Sequence, residues 1–245
     1  MVLAYPGRVP AADSDARTAS AAARADRRRA RTRGAILDAA EAVFGREGYE
    51  KARLEEIAEA ADMSVGSIYT HFEGKRGVYL HLVERALVLF ADYMQRSDDP
   101  SMTPLQRVLA GGDAYLRFHL EHPGAFHFLA YRNPGVIPLS DDDVEARIRD
   151  RIGGLLRGFA GQIDRAIEAG EARQVDSMRL TQYLWGAWNG VIALRLQPDG
   201  LRLSDGEIAE TLELARWLLR EGLAAPSLRD ANGEVGDRVP LPKIT

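Results

Sequence analysis

Ile57-Ala58-Glu59-Ala60-Ala61-Asp62-Met63-Ser64-Val65-Gly66-Ser67-Ile68-Tyr69-Thr70-His71-Phe72-Glu73-Gly74-Lys75 is the stretch that decides the fold. Leu54, Ile57, Ala58 and Ala61 repeat with helical spacing, and Ile68, Tyr69 and Phe72 do so again after a break. Ser64 is a candidate N-cap for the second of these helices. Ala58 is small where the two helices must cross closely. Asp62 stands in the turn where a residue tolerant of positive φ is needed. Upstream, Ile36, Leu37, Ala40, Val43 and Phe44 predict a longer helix closed by Gly48. Three short helices joined by tight turns fit the size of a helix-turn-helix. The last has about nine residues, roughly 13 Å at the helical rise. That length suits a major groove about 12 Å wide.

Outward from this stretch the pattern stays helical. A fourth helix is predicted from Lys75 to Arg96, broken by Asp98-Asp99-Pro100. Pro104 suits the first turn of a fifth, reaching His119 or Glu121. Pro123 opens a short aromatic segment through Tyr131, and 132–140 reads as a loop. Asp141-Asp142-Asp143 favours the start of a seventh helix, ending near Gly170. An eighth runs from Ser177 to Leu196 and stops at Pro198-Asp199-Gly200. Ser204 with Glu207 forms a capping box for a ninth, ending at Gly222. No strand alternation stands out, so the fold class is all-α with about nine helices. The expected organisation is a disordered Arg-rich arm over 1–30, a helix-turn-helix over 31–78, a larger helical domain over 79–222, and a loose tail over 223–245.

Composition narrows function. The chain has 245 residues, 46% of them hydrophobic, enough for a real core. The formal charge of −4 excludes a chain-wide nucleic-acid coat. With no cysteine, disulfide scaffolds, Cys zinc sites and thiol catalysis are excluded. There is no apolar run long enough for a membrane span and no signal-peptide pattern at the N-terminus, so a cytoplasmic protein is expected. Charge is uneven: from Arg17 to Arg33 there are seven Arg and one acid, Asp26.

The run from Ile57-Ala58 through Ala61-Asp62-Met63-Ser64-Val65-Gly66-Ser67-Ile68-Tyr69-Thr70-His71-Phe72 to Lys75 resembles the DNA-binding domain of the TetR/AcrR family of transcriptional regulators. Ile36-Leu37-Asp38-Ala39-Ala40, Phe44 and Gly48-Tyr49 resemble that family's first helix. The resemblance implies that Ser64, Val65, Gly66 and Ser67 open a recognition helix facing phosphates or base edges. It implies phosphate-backbone contacts from Tyr69 and His71, a base-edge contact from Thr70, and a point charge on a phosphate from Lys75. Ile57, Ile68 and Phe72 read as core. Two positions depart from the pattern. Ala52-Arg53 replaces the usual capping Thr or Ser, with Arg53 able to grip a phosphate in its place. Arg76-Gly77 replaces the acid after the lysine, and Gly weakens a helix start by about 1 kcal/mol against Ala. The arginines just upstream, Arg28 and Arg31 among them, are expected to lie along phosphates or enter a minor groove.

In such a family the second region carries a ligand pocket and a dimer surface. Tyr115, His119, Phe126, Trp185 and Asn189 are the candidate lining for an apolar or amphipathic small-molecule effector. Trp188, Ile192, Leu212, Ala215 and Leu219 are the candidate homodimer interface, on helices apolar on more than one face. A dimer would set two recognition helices about 34–36 Å apart, matching a palindromic double-stranded operator. His119, His122 and His127 invite a metal, but Pro123 breaks their helix, so no metal or cofactor is expected. No catalytic motif is present, and Gly111-Gly112 and Gly153-Gly154 lie inside helical patterns rather than after strands, so no enzyme is expected. The function expected is a DNA-binding regulator, a repressor by default. The alternative is a helical ligand-binding or protein-interaction protein that has lost DNA binding.

Overall fold

The computed structural model describes residues 11–130, 143–196 and 199–236. The expected loop over 132–140, with Tyr131, Asp141, Asp142 and Pro198, lies outside the described residues, as do 1–10 and 237–245. The described residues form nine α-helices: α1 (Ala11–Lys51), α2 (Leu54–Ala60), α3 (Val65–Phe72), α4 (Lys75–Arg96), α5 (Pro104–Glu121), α6 (Pro123–Ala130), α7 (Asp143–Glu168), α8 (Ser177–Ala193) and α9 (Asp205–Leu223). The only strand-like features among them are two isolated bridges, Ala172 with Ala224 and Arg229 with Val235. The chain divides into two compact units inside α4, after Tyr79.

The start and stop signals act through local hydrogen bonds. Thr103 and Ser204 each close a capping box, with Gln106 and Glu207 respectively. Asp176 caps α8 through the Arg179 amide. α1 breaks at Gly48, whose φ of 77° lies in the left-handed region.

Both ends of the chain differ from expectation. The segment expected to be a disordered arm is helical from Ala11 and continuous with the first helix of the smaller unit. Its apolar side chains are too few for burial, and the side chains over 24–31 are exposed. Ala and Arg are, however, strong helix formers, so local propensity sets the backbone. The tail expected to be loose is built into the larger unit as far as Gly236. Leu223, Ala224 and Val235 are buried beside Leu105, Val108, Leu109, Ile163 and Ala166. The Arg173 amide donates to the Leu223 carbonyl at 2.8 Å, and the Ala225 amide to the Glu171 carbonyl at 2.8 Å. Arg220 donates from Nη2 to the Val235 carbonyl at 2.7 Å. These anchors are scattered and small, so they carry no periodic signature.

The larger unit packs α5 between α7, α8 and α9. Gly111 and Gly112 are close-approach positions. A Cβ on Gly111 would lie 2.6 Å from the Phe159 ring, and one on Gly112 would lie 2.3 Å from the Trp188 ring. The pair therefore lets two aromatic rings touch the α5 backbone. Behind Gly112, Asp113 and Arg216 form a buried ion pair at 2.5 Å between α5 and α9. Burial pushes the Asp113 carboxyl up to about 6, against the pull of Arg216 and Arg117. Its folded value lies above its free value. The stability it contributes is thus fully present below the ordinary carboxylate range and is lost as pH rises through about 6. Asp113→Leu strands the Arg216 cation and is expected to cost about 3–5 kcal/mol, whereas Asp113→Leu with Arg216→Met is expected to be neutral or stabilising. Urea unfolding of the three proteins at pH 7 checks this, and a double variant as weak as the single one would contradict it.

Candidate nucleic-acid interface and buried cavity

In the smaller unit the candidate probe is α3. Ser64 caps it, accepting from the Ser67 amide at 3.2 Å. Asp62 has a φ of 54° in the turn before it. Ile57, Ile68 and Phe72 are buried, and they turn the opposite face outward. On that face Ser64, Gly66, Tyr69 and Thr70 are exposed, while Val65, Ser67 and His71 are half-buried. The Tyr69 ring, 56% exposed, lies against Gly74, where an added Cβ would be 3.3 Å from it. Thr70 spends its hydroxyl proton on the Gly66 carbonyl at 2.9 Å and so offers a methyl group and acceptor lone pairs. The His71 imidazole is held below its ordinary pKa by burial and then by Arg33 and Arg29, so it is a neutral N–H donor at pH 7.

Three contacts fix this helix. Arg33 on α1 donates to the His71 carbonyl at 2.5 Å, and its guanidinium stacks over the Phe72 ring at 4.4 Å. Gly77 in the first turn of α4 lies so close to the end of α3 that a Cβ there would sit 1.6 Å from the Phe72 carbonyl oxygen. Glycine here is therefore a requirement of the turn, beyond the weakened helix start expected from sequence. Lys75, expected to reach a phosphate, is engaged inside the unit. Its Nζ donates to the Glu50 carbonyl at 3.0 Å and lies 4.6 Å over the Tyr49 ring, leaving two of its three N–H groups for another partner. Arg53 stands exposed at the N-cap of α2 without capping it, and pairs with Glu56 at 2.7 Å. Arg28 and Arg31 are exposed on α1.

The larger unit holds a cavity of about 380 Å³. Phe90, Tyr115, Phe159, Leu184, Trp185 and Trp188 form its apolar wall. Of the candidate lining, Tyr115 and Trp185 are there. His119, Phe126 and Asn189 are not, because α6 folds over that end of α5. Phe126 packs edge-on against Tyr115 at 5.6 Å and against His119 at 4.7 Å. Asn189 stands behind the wall and accepts the Tyr115 hydroxyl at 2.6 Å. Sequence reasoning missed the α7 residues altogether. The signal available was Phe159 and Gln162, three apart on one helix face. His122 lies 3.1 Å from the Tyr93 hydroxyl, and no metal-sized cluster of His, Asp and Glu occurs among the described residues.

The candidate dimer surface is also displaced. Trp188, Ile192 and Leu212 are buried within the chain's own core, and Ala215 and Leu219 are half-buried. On α8 and α9 the large apolar side chains left exposed are Tyr183 and Leu214, Trp217 and Leu218, the last three 46–55% exposed. Both faces of α9 are apolar, so hydrophobicity does not say which one the core takes. Arg216 settles it by burying its charge against Asp113.

With this geometry the chain matches known proteins. The profile of bacterial regulatory proteins of the tetR family covers residues 36–82. The tetracyclin repressor-like C-terminal domain covers 108–220. The chain belongs to the TetR family of bacterial regulatory proteins. Among relatives, the HTH-type transcriptional activator FasR of Mycolicibacterium smegmatis is 29% identical over 117 residues, 48% of this chain and 52% of FasR. The match thus spans about half of that relative's length. A TetR-family regulatory protein from Rhodococcus RHA1 shares the fold with a TM-score of 0.63 at 22% identity, covering 79% of this chain and 98% of that one. AibR, solved in complex with isovaleryl coenzyme A and operator DNA, gives 0.60 at 21% identity, over 75% and 97% of the two chains. No described helix is long and apolar enough to cross a membrane.

The requirement at Gly77 is testable against a nearby glycine. Overpacking of this kind costs about 1–3 kcal/mol. Gly77→Ala is therefore expected to lower the thermal unfolding midpoint of the full chain. Gly66→Ala, where an added Cβ meets only the Ser64 Oγ at 3.8 Å, is expected to leave it unchanged or raised. Circular dichroism melts of both variants check this, and equal midpoints would remove the argument.

Proposed function

We propose that this chain is a sequence-specific DNA-binding transcriptional regulator of the cytoplasm, a repressor that binds a palindromic operator as a homodimer and is released by a small-molecule effector. The observation that carries the reading is α3. It is a short capped helix whose apolar face is buried and whose polar face, with Ser64, Gly66, Tyr69 and Thr70, stands exposed. Such a helix enters a major groove N-terminus first. Ser64, Val65, Gly66 and Ser67 open it toward phosphates and base edges, Thr70 gives a methyl group to a base edge, and Tyr69 and His71 reach the backbone. Lys75 and Arg53 supply charge at the rim from the engagements described above.

The arginines of α1 extend the footprint. Arg24, Arg27, Arg28 and Arg31 are exposed and spaced for one side of a helix. A helix at least about 10 Å wide does not fit a minor groove about 6 Å wide. The helix itself therefore stays outside a minor groove, and these residues lie along phosphates or reach into a minor groove by their side chains alone. The exposed Leu214, Trp217 and Leu218 are the dimer surface in this reading, in place of the buried set. The effector occupies the cavity lined by Tyr115 and Trp185. The isovaleryl coenzyme A in AibR is consistent with an effector that has an apolar portion. Release is a population shift and requires an effector that binds the two states with different affinity.

A gel shift with the DNA flanking the chain's own gene tests the reading. The wild type is expected to retard it, and Leu218→Asp is expected to run as a monomer in gel filtration and to lose retardation. A wild type that retards no fragment of that DNA favours the ligand-binding alternative. Replacing Arg24, Arg27, Arg28 and Arg31 with Ala keeps helix propensity. It is expected to flatten the plot of log K against log salt by about 0.9 for each phosphate no longer neutralised. An unchanged slope would take α1 out of the interface.

A further inference from the structure

α3 carries one imidazole that spends none of its hydrogen-bonding capacity inside the protein. His71 is half-buried, one helical turn beyond Ser67. Its carbonyl accepts from Arg33, but its ring makes no hydrogen bond among the described residues. The charged groups that face the ring come from α1. They are Arg33 and, one turn before it, Arg29. α3 itself holds no Asp, Glu, Lys or Arg. On α2, Glu56 is taken by Arg53. At the start of α4, Lys75 is held by the Glu50 carbonyl, and Arg76 acts on Tyr49. No carboxylate acts on the His71 ring among the described residues. An imidazole beside two cations and no acid stays neutral.

We infer that DNA binding takes up a proton at His71, so that the affinity for DNA rises as the solution turns mildly acidic. The inference rests on the proposed DNA-binding role of α3 and deepens it, by making proton concentration a regulator of that site. A phosphate is the anion that the surroundings of the ring lack. Lying against the ring, it offsets the Arg29 and Arg33 charges. It also accepts a hydrogen bond that is stronger from an imidazolium than from a neutral ring. The ring therefore holds its proton more tightly in the complex than in the free protein. By linkage, affinity for DNA is flat above the pKa of the complex. It rises as pH falls through the interval between the two values, and levels off below that of the free protein. Burial, then Arg33 and Arg29, hold the free value below 6.5, so the interval reaches into mildly acidic solution.

Fluorescence anisotropy of a labelled duplex from the DNA flanking the chain's own gene tests this. The full-length protein is titrated into it from about pH 8 to about pH 5.5, across the range of an imidazole, at several salt concentrations. Charging one hydrogen-bond donor corresponds to about tenfold in affinity. Wild type is expected to gain about that much per protomer at the acid end. Its plot of log K against log salt is expected to steepen there by about 0.9 for each imidazolium that neutralises a phosphate. His71→Gln keeps an N–H donor but takes up no proton, and is expected to lose both the gain and the steepening. His71→Lys, charged throughout, is expected to lose the gain and to show the steeper plot already at about pH 8. Asp113 titrates at about 6 in the larger unit of all three proteins, so the difference between them is what is read. Circular dichroism spectra are expected to be alike. No gain in the wild type, a gain surviving in His71→Gln, or a wild-type salt slope equal at both ends would each overturn the inference. A wild type that binds this DNA at no pH overturns the regulator reading and this one with it. Binding without the gain overturns this one alone.

Discussion

The carbonyl oxygen of Phe72 and the α-carbon of Gly77 share a space too small for any side chain. That contact forces the chain to double back between α3 and α4. Glu73 takes a left-handed φ of 61° and Gly74 one of 111° to make the reversal. Everything that gives α3 its outward polar face follows from it. Phe72 is pinned by the Arg33 guanidinium on one side, and Ile68 is drawn into the same core. Tyr69, one position further round the helix, is then left with its ring over Gly74 and its hydroxyl end in solvent. Lys75, first residue of α4, is brought within reach of the end of α1. The polar probe is thus defined by the burial opposite it, and α4 runs on from this reversal into the larger unit.

A second close approach organises the larger unit. Without side chains at Gly111 and Gly112, Phe159 of α7 and Trp188 of α8 lie directly on α5. The rings of Phe90, Trp185 and Trp188 surround Tyr115 at 5.3–5.7 Å, edge to face. Edge-to-face pairs of this kind add to the energy of the area they bury. The cavity opens between α4, α5, α7 and α8.

The sequence was legible where structure is local. The caps read at Ser64 and Ser204 act within three residues of themselves and start α3 and α9, and Thr103 and Asp176, not singled out in the sequence, do the same for α5 and α8. Gly48 and Asp62 take the positive φ that their positions require. Legibility failed where the outcome depends on which of two apolar faces finds a partner. Trp188 and Leu212 are as apolar as Trp217 and Leu218, and pattern alone does not rank them. His119 shares a stripe of α5 with Tyr115, yet Phe126 of α6 covers it and leaves Tyr115 facing the gap. At the chain ends composition misled in two ways. An Ala- and Arg-rich stretch needs no core to be helical, and Ala224 and Val235 anchor a tail without any repeat. Phe159 and Gln162 stand three apart on one face of α7, but an amphipathic helix offers many such pairs, and none is singled out until its surroundings are known.

The Asp113–Arg216 pair explains why such ambiguity is resolved uniquely in the folded chain. As a source of stability it is poor, since burial of both groups opposes their attraction and raises the carboxyl. Its effect is on register. Arg216 must face α5 to meet Asp113, and a rotation of α9 by one residue, about 100°, would strand the charge in the core. With Arg216 inward, Leu212 and Ile208 follow it into the core, and Leu214, Trp217 and Leu218 are left outside. The same side chain lies 3.3 Å from the space above Gly112, next to the Trp188 ring that walls the cavity. One buried charge therefore fixes both the exposed apolar stripe of α9 and the back of the cavity wall. In an interior packed this densely, neither can be displaced without disturbing the other.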